Sequence, residues 1–200
     1  MKRILYCLIL IIPLICACAT TTPGPFHFGQ PYGAPVQYGE GRHPGIDFNI
    51  PIGTPIIAAS DGEIIKVSSP GAPERIGPKS KDILGGGIFV AVQNGDHFKS
   101  LYGHLSKAFV KKGQSLKRGQ LIGLSGKTNT GSKHLHFELC KTEGRYGYYS
   151  DSYDPKDFWL GGKPQCFDPN MDYSKYSQKD LTIPIACGDY AKELIAEIEK

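Results

Sequence analysis

An all-β domain, mainly antiparallel, sandwich-like and carrying a groove, is predicted for most of this chain, with a small C-terminal extension that contains one short helix. Three observations predict it. Between residues 53 and 139 the chain is cut into short apolar and β-branched runs, none with a convincing helical period. Turn pairs such as Asp61-Gly62 and Gly95-Asp96 stand between the runs. A helical period emerges only after residue 188.

The runs, in order, are "TPIIAAS" (54–60), "GEIIKV" (62–67), "GIFVAVQ" (87–93), "HFKSLYGHL" (97–105), "QLIGLSG" (120–126) and "HLHFEL" (134–139). The segment "VQNGDHFK" (92–99) is the clearest hairpin, two alternating runs around a Gly-containing turn. Between the second and third runs lies "PGAPERIGPKSKDILG", rich in Pro, Gly and charge, so residues 68–84 are expected to form a long surface loop. Past Leu160 the chain turns polar and Tyr-rich. "DYAKELIAEIEK" then spaces Ala191, Leu194, Ile195 and Ile198 as one helix face, with Asp189 as the expected N-cap.

A length of 200 residues with 40% hydrophobic content suits one domain with appendages. The net charge of +4 is too small to argue for a nucleic-acid partner. The opening "MKRILYCLILIIPLICACAT" has a basic start, an apolar stretch from Ile4 to Ile15 and small residues after it, the layout of a secretory leader and too short a stretch to span a bilayer. Its end resembles the bacterial lipobox at Cys18, with Ile15 and Ala17 in the aliphatic and small positions. That resemblance implies lipidation of Cys18, a membrane anchor made of lipid, and a periplasm-facing lipoprotein. By resemblance to Gram-negative lipoproteins, Ala19 rather than Asp after the cysteine implies sorting to the outer membrane. The expected organisation is a leader over 1–17, a Thr/Pro-rich tether over 18–25, the main domain over 26–160 and the extension over 161–200.

Of the six cysteines, Cys7 and Cys16 leave with the leader and Cys18 is the acylation site, so Cys140, Cys166 and Cys187 remain. Outside the cytosol disulfides persist, and Cys166 and Cys187 both fall in the extension, so a bridge between them is expected. Cys140 follows an apolar strand and is expected to be buried and inert.

The histidines carry the chemistry. Side chains alternate along a strand, so His134 and His136 of "HLHFEL" share one face. A half-exposed strand with two chance histidines would read the same way. In "GRHPGIDFNI" (41–50), a turn at Pro44-Gly45 would let His43 and Asp47 approach one point, and imidazole with carboxylate suits zinc. The two pairs together offer His, Asp and His with a fourth position for water, the composition of a catalytic zinc site, provided the fold brings them together.

"HPGIDF" (43–48), "GTPIIAASDGEI" (53–64), "LYGHLS" (101–106), "VKKGQSLKRGQLIGLSG" (110–126) and "HLHFEL" (134–139) resemble, in order, the motifs of the lysostaphin-type, or LytM-domain, zinc peptidases. "DPKDFWL" (154–160) is similar to the segment that often closes that domain. The resemblance implies one zinc per chain held by His43, Asp47 and His136, with His134 and His104 as catalytic imidazoles. It also implies peptidoglycan as substrate; between a glycine bridge and the cross-link between stem peptides, the lipoprotein context points to the cross-link. With no Glu in the place where helical zinc proteases keep their base, His134 is the implied base and His104 the implied transition-state hydrogen-bond donor. The chain departs from the family in "TNTGSKHLH" (128–136), which sets Lys133 beside His134, where a cation could depress its pKa or meet an anionic substrate. Two other readings compete. One is a non-catalytic relative that binds cell wall or activates an amidase; such relatives usually lose ligands, and this chain keeps them. The other is a sugar-phosphotransferase carrier with a similar His-x-Gly-x-Asp segment, against which the leader argues. No protein partner is legible.

Overall fold

The computed structural model describes residues 27–68 and 87–200. The expected leader, Cys18 with its expected tether, and residues 69–84 of the expected loop lie outside the described residues. Ten strands and one α-helix are built from the rest: β1 (His27–Phe28), β2 (Gly45–Asn49), β3 (Pro55–Ile57), β4 (Gly62–Val67), β5 (Ile88–Asn94), β6 (Phe98–Ala108), β7 (Ser115–Leu116), β8 (Leu121–Ser125), β9 (Leu135–Lys141), β10 (Ser152–Tyr153) and α1 (Gly188–Ile198). Every strand pairing is antiparallel, and the strands run β1-β2-β9-β6-β5-β4-β7. β10 adds to β9, while β8 bridges β6 to β3. The mainly antiparallel β fold is therefore as the runs and turn pairs predict.

Alternation sets the two faces. On β9, Leu135, Phe137 and Leu139 turn inward and join Ile46, Phe48, Val90, Val92 and Tyr102 in the main core. His134, His136 and Glu138 occupy the other face of the same stretch. The expected hairpin forms between β5 and β6, with Asn94 opposite Phe98 and Gly95 at φ +59° in the turn.

β6 is the strand that folds the sheet on itself. Its first half pairs with β5 and β9, and its last residues pair with β8. At the changeover Ile88 and Val90 of β5 face Leu105 and Tyr102, so β6 carries one residue more than its partner. The extra residue is accommodated at Gly103-His104, where His104 adopts a left-handed backbone, φ +61°. Such a bulge bends a strand and re-aims a side chain.

The extension is part of the fold rather than a loose tail. Residues 181–186 lie antiparallel along β3, with Thr182 N–H donating to Ala59 O (3.0 Å), Ile57 N–H to Pro184 O (3.1 Å) and Ala186 N–H to Pro55 O (3.1 Å). The segment is buried, and Cys187 at its end is bonded to Cys166, the expected bridge. Cys140 is free and buried, also as expected. α1 packs through Leu194, Tyr190 and Ala191 against Ile57, Ala186, Leu121 and Phe167. Two helix expectations are corrected. The N-cap is Cys187, and Asp189 sits inside the first turn, where it favours the helix dipole and pairs with Lys192. Ile195 is 40% exposed, and of the predicted face Leu194 alone is buried.

Candidate metal centre

The strand pairing that builds the core also assembles the site. Asp47 of β2 stands directly opposite His136 of β9, and Gly103 of β6 stands opposite His136 on the other side. Both distant motifs are thus neighbours in one sheet. The expected turn at Pro44-Gly45 is absent. The chain is already extended there and enters β2 at Gly45, so His43 and Asp47 share a face by strand alternation. Gly45 is required for space instead, since a Cβ there would lie 2.9 Å from His136 Cε1 and 2.5 Å from Phe137 O.

Three ligand atoms converge. His43 Nε2 lies 3.2 Å from Asp47 Oδ1, His136 Nδ1 lies 3.0 Å from the same oxygen, and the two nitrogens are 3.1 Å apart. Donors about 2.0–2.2 Å from a tetrahedral ion stand roughly 3.3–3.6 Å from one another, so this nitrogen-oxygen-nitrogen set suits a small cation after slight relaxation. Among the described residues, His43, Asp47 and His136 are the group of this kind. His43 is fully buried, and its Nδ1–H donates to Pro31 O (3.1 Å), which leaves Nε2 with the lone pair that faces the cluster.

Two further imidazoles flank the three. His134 is 7% exposed and places Nε2 3.7 Å from Asp47 Oδ1, with its Nδ1 3.2 Å from Ser132 O. His104 reaches in from the bulge, its Nδ1–H donating to Thr128 O at 2.8 Å. The ring centroids of His104 and His134 are 4.6 Å apart, and those of His104 and His136 are 6.0 Å apart. All five sequence-derived site residues are brought together.

The charges divide along the same lines. Burial would raise the pKa of Asp47, but the hydrogen bond from His136 Nδ1–H, with His43 close beside it, holds its carboxyl well below the usual carboxylate range. Burial would lower that of His136, yet Asp47 and Glu138 outweigh it and raise the imidazole to about 9. Burial, helped by the charge of His136, pushes His104 down to about 4. His134 is also lowered, by burial first, with Asp47 opposing. Burial rather than Lys133 depresses His134; Lys133 is solvent-exposed and forms no ion pair among the described residues.

Sequence reading missed Glu138. It is 1% exposed, and its Oε2 lies 3.5 Å from His136 Nε2. The same period of two that pairs His134 with His136 extends to this residue and could have found it.

Residues 41–148 match the profile of peptidase family M23. Over 107 residues the chain is 42% identical to the peptidoglycan DD-endopeptidase ShyA of Vibrio cholerae, covering 52% of this chain and 22% of ShyA. Over 134 residues it is 29% identical to the uncharacterized lipoprotein YgeR of Escherichia coli, covering 66% of this chain and 46% of YgeR. The chain thus spans less than half the length of either relative. The fold is similar to the solved catalytic domain of lysostaphin from Staphylococcus simulans, with TM-score 0.53 and 33% identity over 66% of this chain and 91% of that domain.

Proposed function

This chain belongs to peptidase family M23, and from that premise we propose that it is a zinc endopeptidase that hydrolyses peptide bonds of bacterial peptidoglycan, at the cross-links between stem peptides. The observation that carries the reading is the convergence of His43 Nε2, Asp47 Oδ1 and His136 Nδ1 within 3.0–3.2 Å, beside two buried neutral imidazoles. The donor set of two imidazoles and one carboxylate fits one zinc ion, with a coordination position left over. When bound, zinc supplies a Lewis acid that polarises a peptide carbonyl and acidifies a water toward a pKa of ~7.

The chain's own residues then handle the protons. His134 donates Nδ1–H to Ser132 O, so its Nε2 is free to accept a proton, and Asp47 at 3.7 Å stabilises the imidazolium that results. The attacking water gives one proton to His134 Nε2, its oxygen bonds to the carbonyl carbon, and His134 returns the proton to the departing amine. His104 is neutral, and its Nδ1–H is engaged by Thr128 O. Its Nε2 is therefore an acceptor, where resemblance implied a donor. We assign it to accept the water's second hydrogen and so orient the attack.

The lipobox-like end of the leader and the likeness to a lipoprotein, YgeR, support lipidation at Cys18 and a periplasm-facing position on the outer membrane. A role limited to binding cell wall or activating an amidase is disfavoured, since every ligand and both flanking imidazoles are present. The test is metal analysis of the full-length protein, purified in detergent, followed by digestion of purified murein. One zinc per chain and release of cross-link fragments are expected. A zinc-loaded protein that releases no fragments overturns the reading.

A further inference from the structure

We propose that Glu138 is a positioning residue that fixes which nitrogen of His136 faces the metal position, and that Ser152 and the Gly147 backbone hold it in place. The proposal rests on the metal-binding reading above and deepens it.

A carboxylate buried to 1% exposure is costly unless its oxygens are satisfied. Glu138 has three donors arranged around it. The Gly147 N–H lies 3.0 and 3.1 Å from its two oxygens, and the Ser152 hydroxyl, whose one proton is shared with Tyr148 O at 2.8 Å, lies 2.9 Å from Oε1. The third is His136 Nε2, 3.5 Å from Oε2. A proton on Nε2 satisfies the carboxylate; a lone pair there would face a negative charge at the same distance. Glu138 thereby selects the Nε2–H form of His136 and leaves Nδ1 as the nitrogen that meets Asp47 Oδ1 and His43 Nε2 at 3.0 and 3.1 Å.

The clamp comes from outside the metal strands. Gly147 belongs to the loop after β9, and Ser152 opens β10, which pairs with β9 through Ser152 opposite Cys140. Ser152 lies beyond the residues that match the family profile. The segment that closes the domain therefore reaches back to the metal position through one carboxylate. A Pro31 carbonyl does the same for His43, so both ligating imidazoles are oriented through the nitrogen that does not face the cluster.

The experiment is a zinc dissociation constant, measured by competition with a chromophoric chelator, for full-length wild type, Glu138→Ala, Glu138→Gln and Ser152→Ala. The far-ultraviolet circular dichroism of each metal-free protein is recorded alongside. Glu138→Ala is expected to weaken zinc binding about 10–100-fold, the usual effect of losing such a partner. Glu138→Gln keeps an acceptor for Nε2–H and is expected to recover much of that loss. Ser152→Ala touches no ligand and is expected to weaken binding several-fold, so it keeps the test decisive if Glu138→Ala does not fold. Wild-type affinity in a folded Glu138→Ala or in Ser152→Ala overturns the proposal. A wild-type protein that takes up no zinc overturns the metal reading itself, which is a different result.

Discussion

His104 and His134 lie 4.6 Å apart between ring centroids, and each is tied through Nδ1 to a backbone carbonyl, Thr128 O for one and Ser132 O for the other. They come from different strand environments. His134 precedes β9 by one residue, whereas His104 projects from the bulge in β6 with φ +61°. A non-glycine residue in that region is strained by roughly 1–3 kcal/mol. The surrounding pairings to β5, β8 and β9 impose it, and the result is two lone pairs beside one ligand cluster.

Because neither imidazole is one of the three converging ligands, chemistry and metal retention should separate. His104→Ala and His134→Ala are each expected to lower murein hydrolysis about 100-fold or more while zinc content stays near that of wild type. His43→Ala and Asp47→Ala should lose both. Steady-state digestion with parallel metal analysis checks this, and zinc loss in His134→Ala would make that residue a ligand.

Zinc uptake should release a proton. In the metal-free protein His136 titrates at about 9, so at neutral pH it carries protons on both nitrogens, the Nδ1 proton shared toward Asp47 and His43. Binding through Nδ1 requires that proton to leave. Below about pH 9 affinity is therefore expected to rise about tenfold per pH unit, with about one proton released at pH 7.5. Calorimetric titrations in buffers of different ionisation enthalpy measure the number directly. A release of zero would place the proton elsewhere.

His104 gives the metal-free protein a pH dependence of opposite origin. Its folded pKa is about 4 and its ordinary value 6.5, so between those values the unfolded chain binds a proton that the folded chain refuses. Stability from this group is full above pH 6.5 and falls as pH drops toward 4. His104→Asn removes the titration and keeps a residue that tolerates positive φ. Urea unfolding at pH 7.5 and pH 5 should show wild type losing more stability over that interval than the variant.

The strands were legible because they rest on period-two patterns: apolar alternation marks β4, β5, β6 and β9, and the same alternation sets His134 and His136 on one face, while the choice of His43, Asp47 and His136 as ligands came from the family resemblance. The bulge was not. "HFKSLYGHL" reads as one straight strand, and the pairing that forces an extra residue at Gly103-His104 lies in β5, far along the chain. The carbonyls of Pro31, Thr128 and Ser132 orient three imidazoles, yet a backbone oxygen leaves no signature in residue identity. Gly45 looked like a turn residue and is instead a gap that admits the His136 ring. "LTIPIA" (181–186) was given no element by the sequence reading; a proline is tolerated on an edge where only its carbonyl is needed, and Ile57 N–H bonds the Pro184 carbonyl.

That edge segment leads to the last expectation. Residues 181–186 cover β3 and bury Leu181, Ile183 and Ile185 in the main core, and the Cys166–Cys187 bridge closes a loop of 21 residues around them. On the chain-entropy account such a loop contributes about 3 kcal/mol by restricting the unfolded chain. Cys166→Ser with Cys187→Ser is therefore expected to lower Tm by about 6–12 °C, at about 2–4 °C per kcal/mol for a chain of this size. Zinc content at room temperature should not change, because His43, Asp47 and His136 are positioned by β2, β9 and β6 and bond to nothing in the extension. Differential scanning calorimetry and metal analysis of the same sample test both halves. An unchanged Tm would mean that pairing with β3 and burial of the three apolar side chains hold the segment without the bridge, while loss of zinc would mean that covering the β3 edge transmits to the ligand strands through β8 and the bulge of β6.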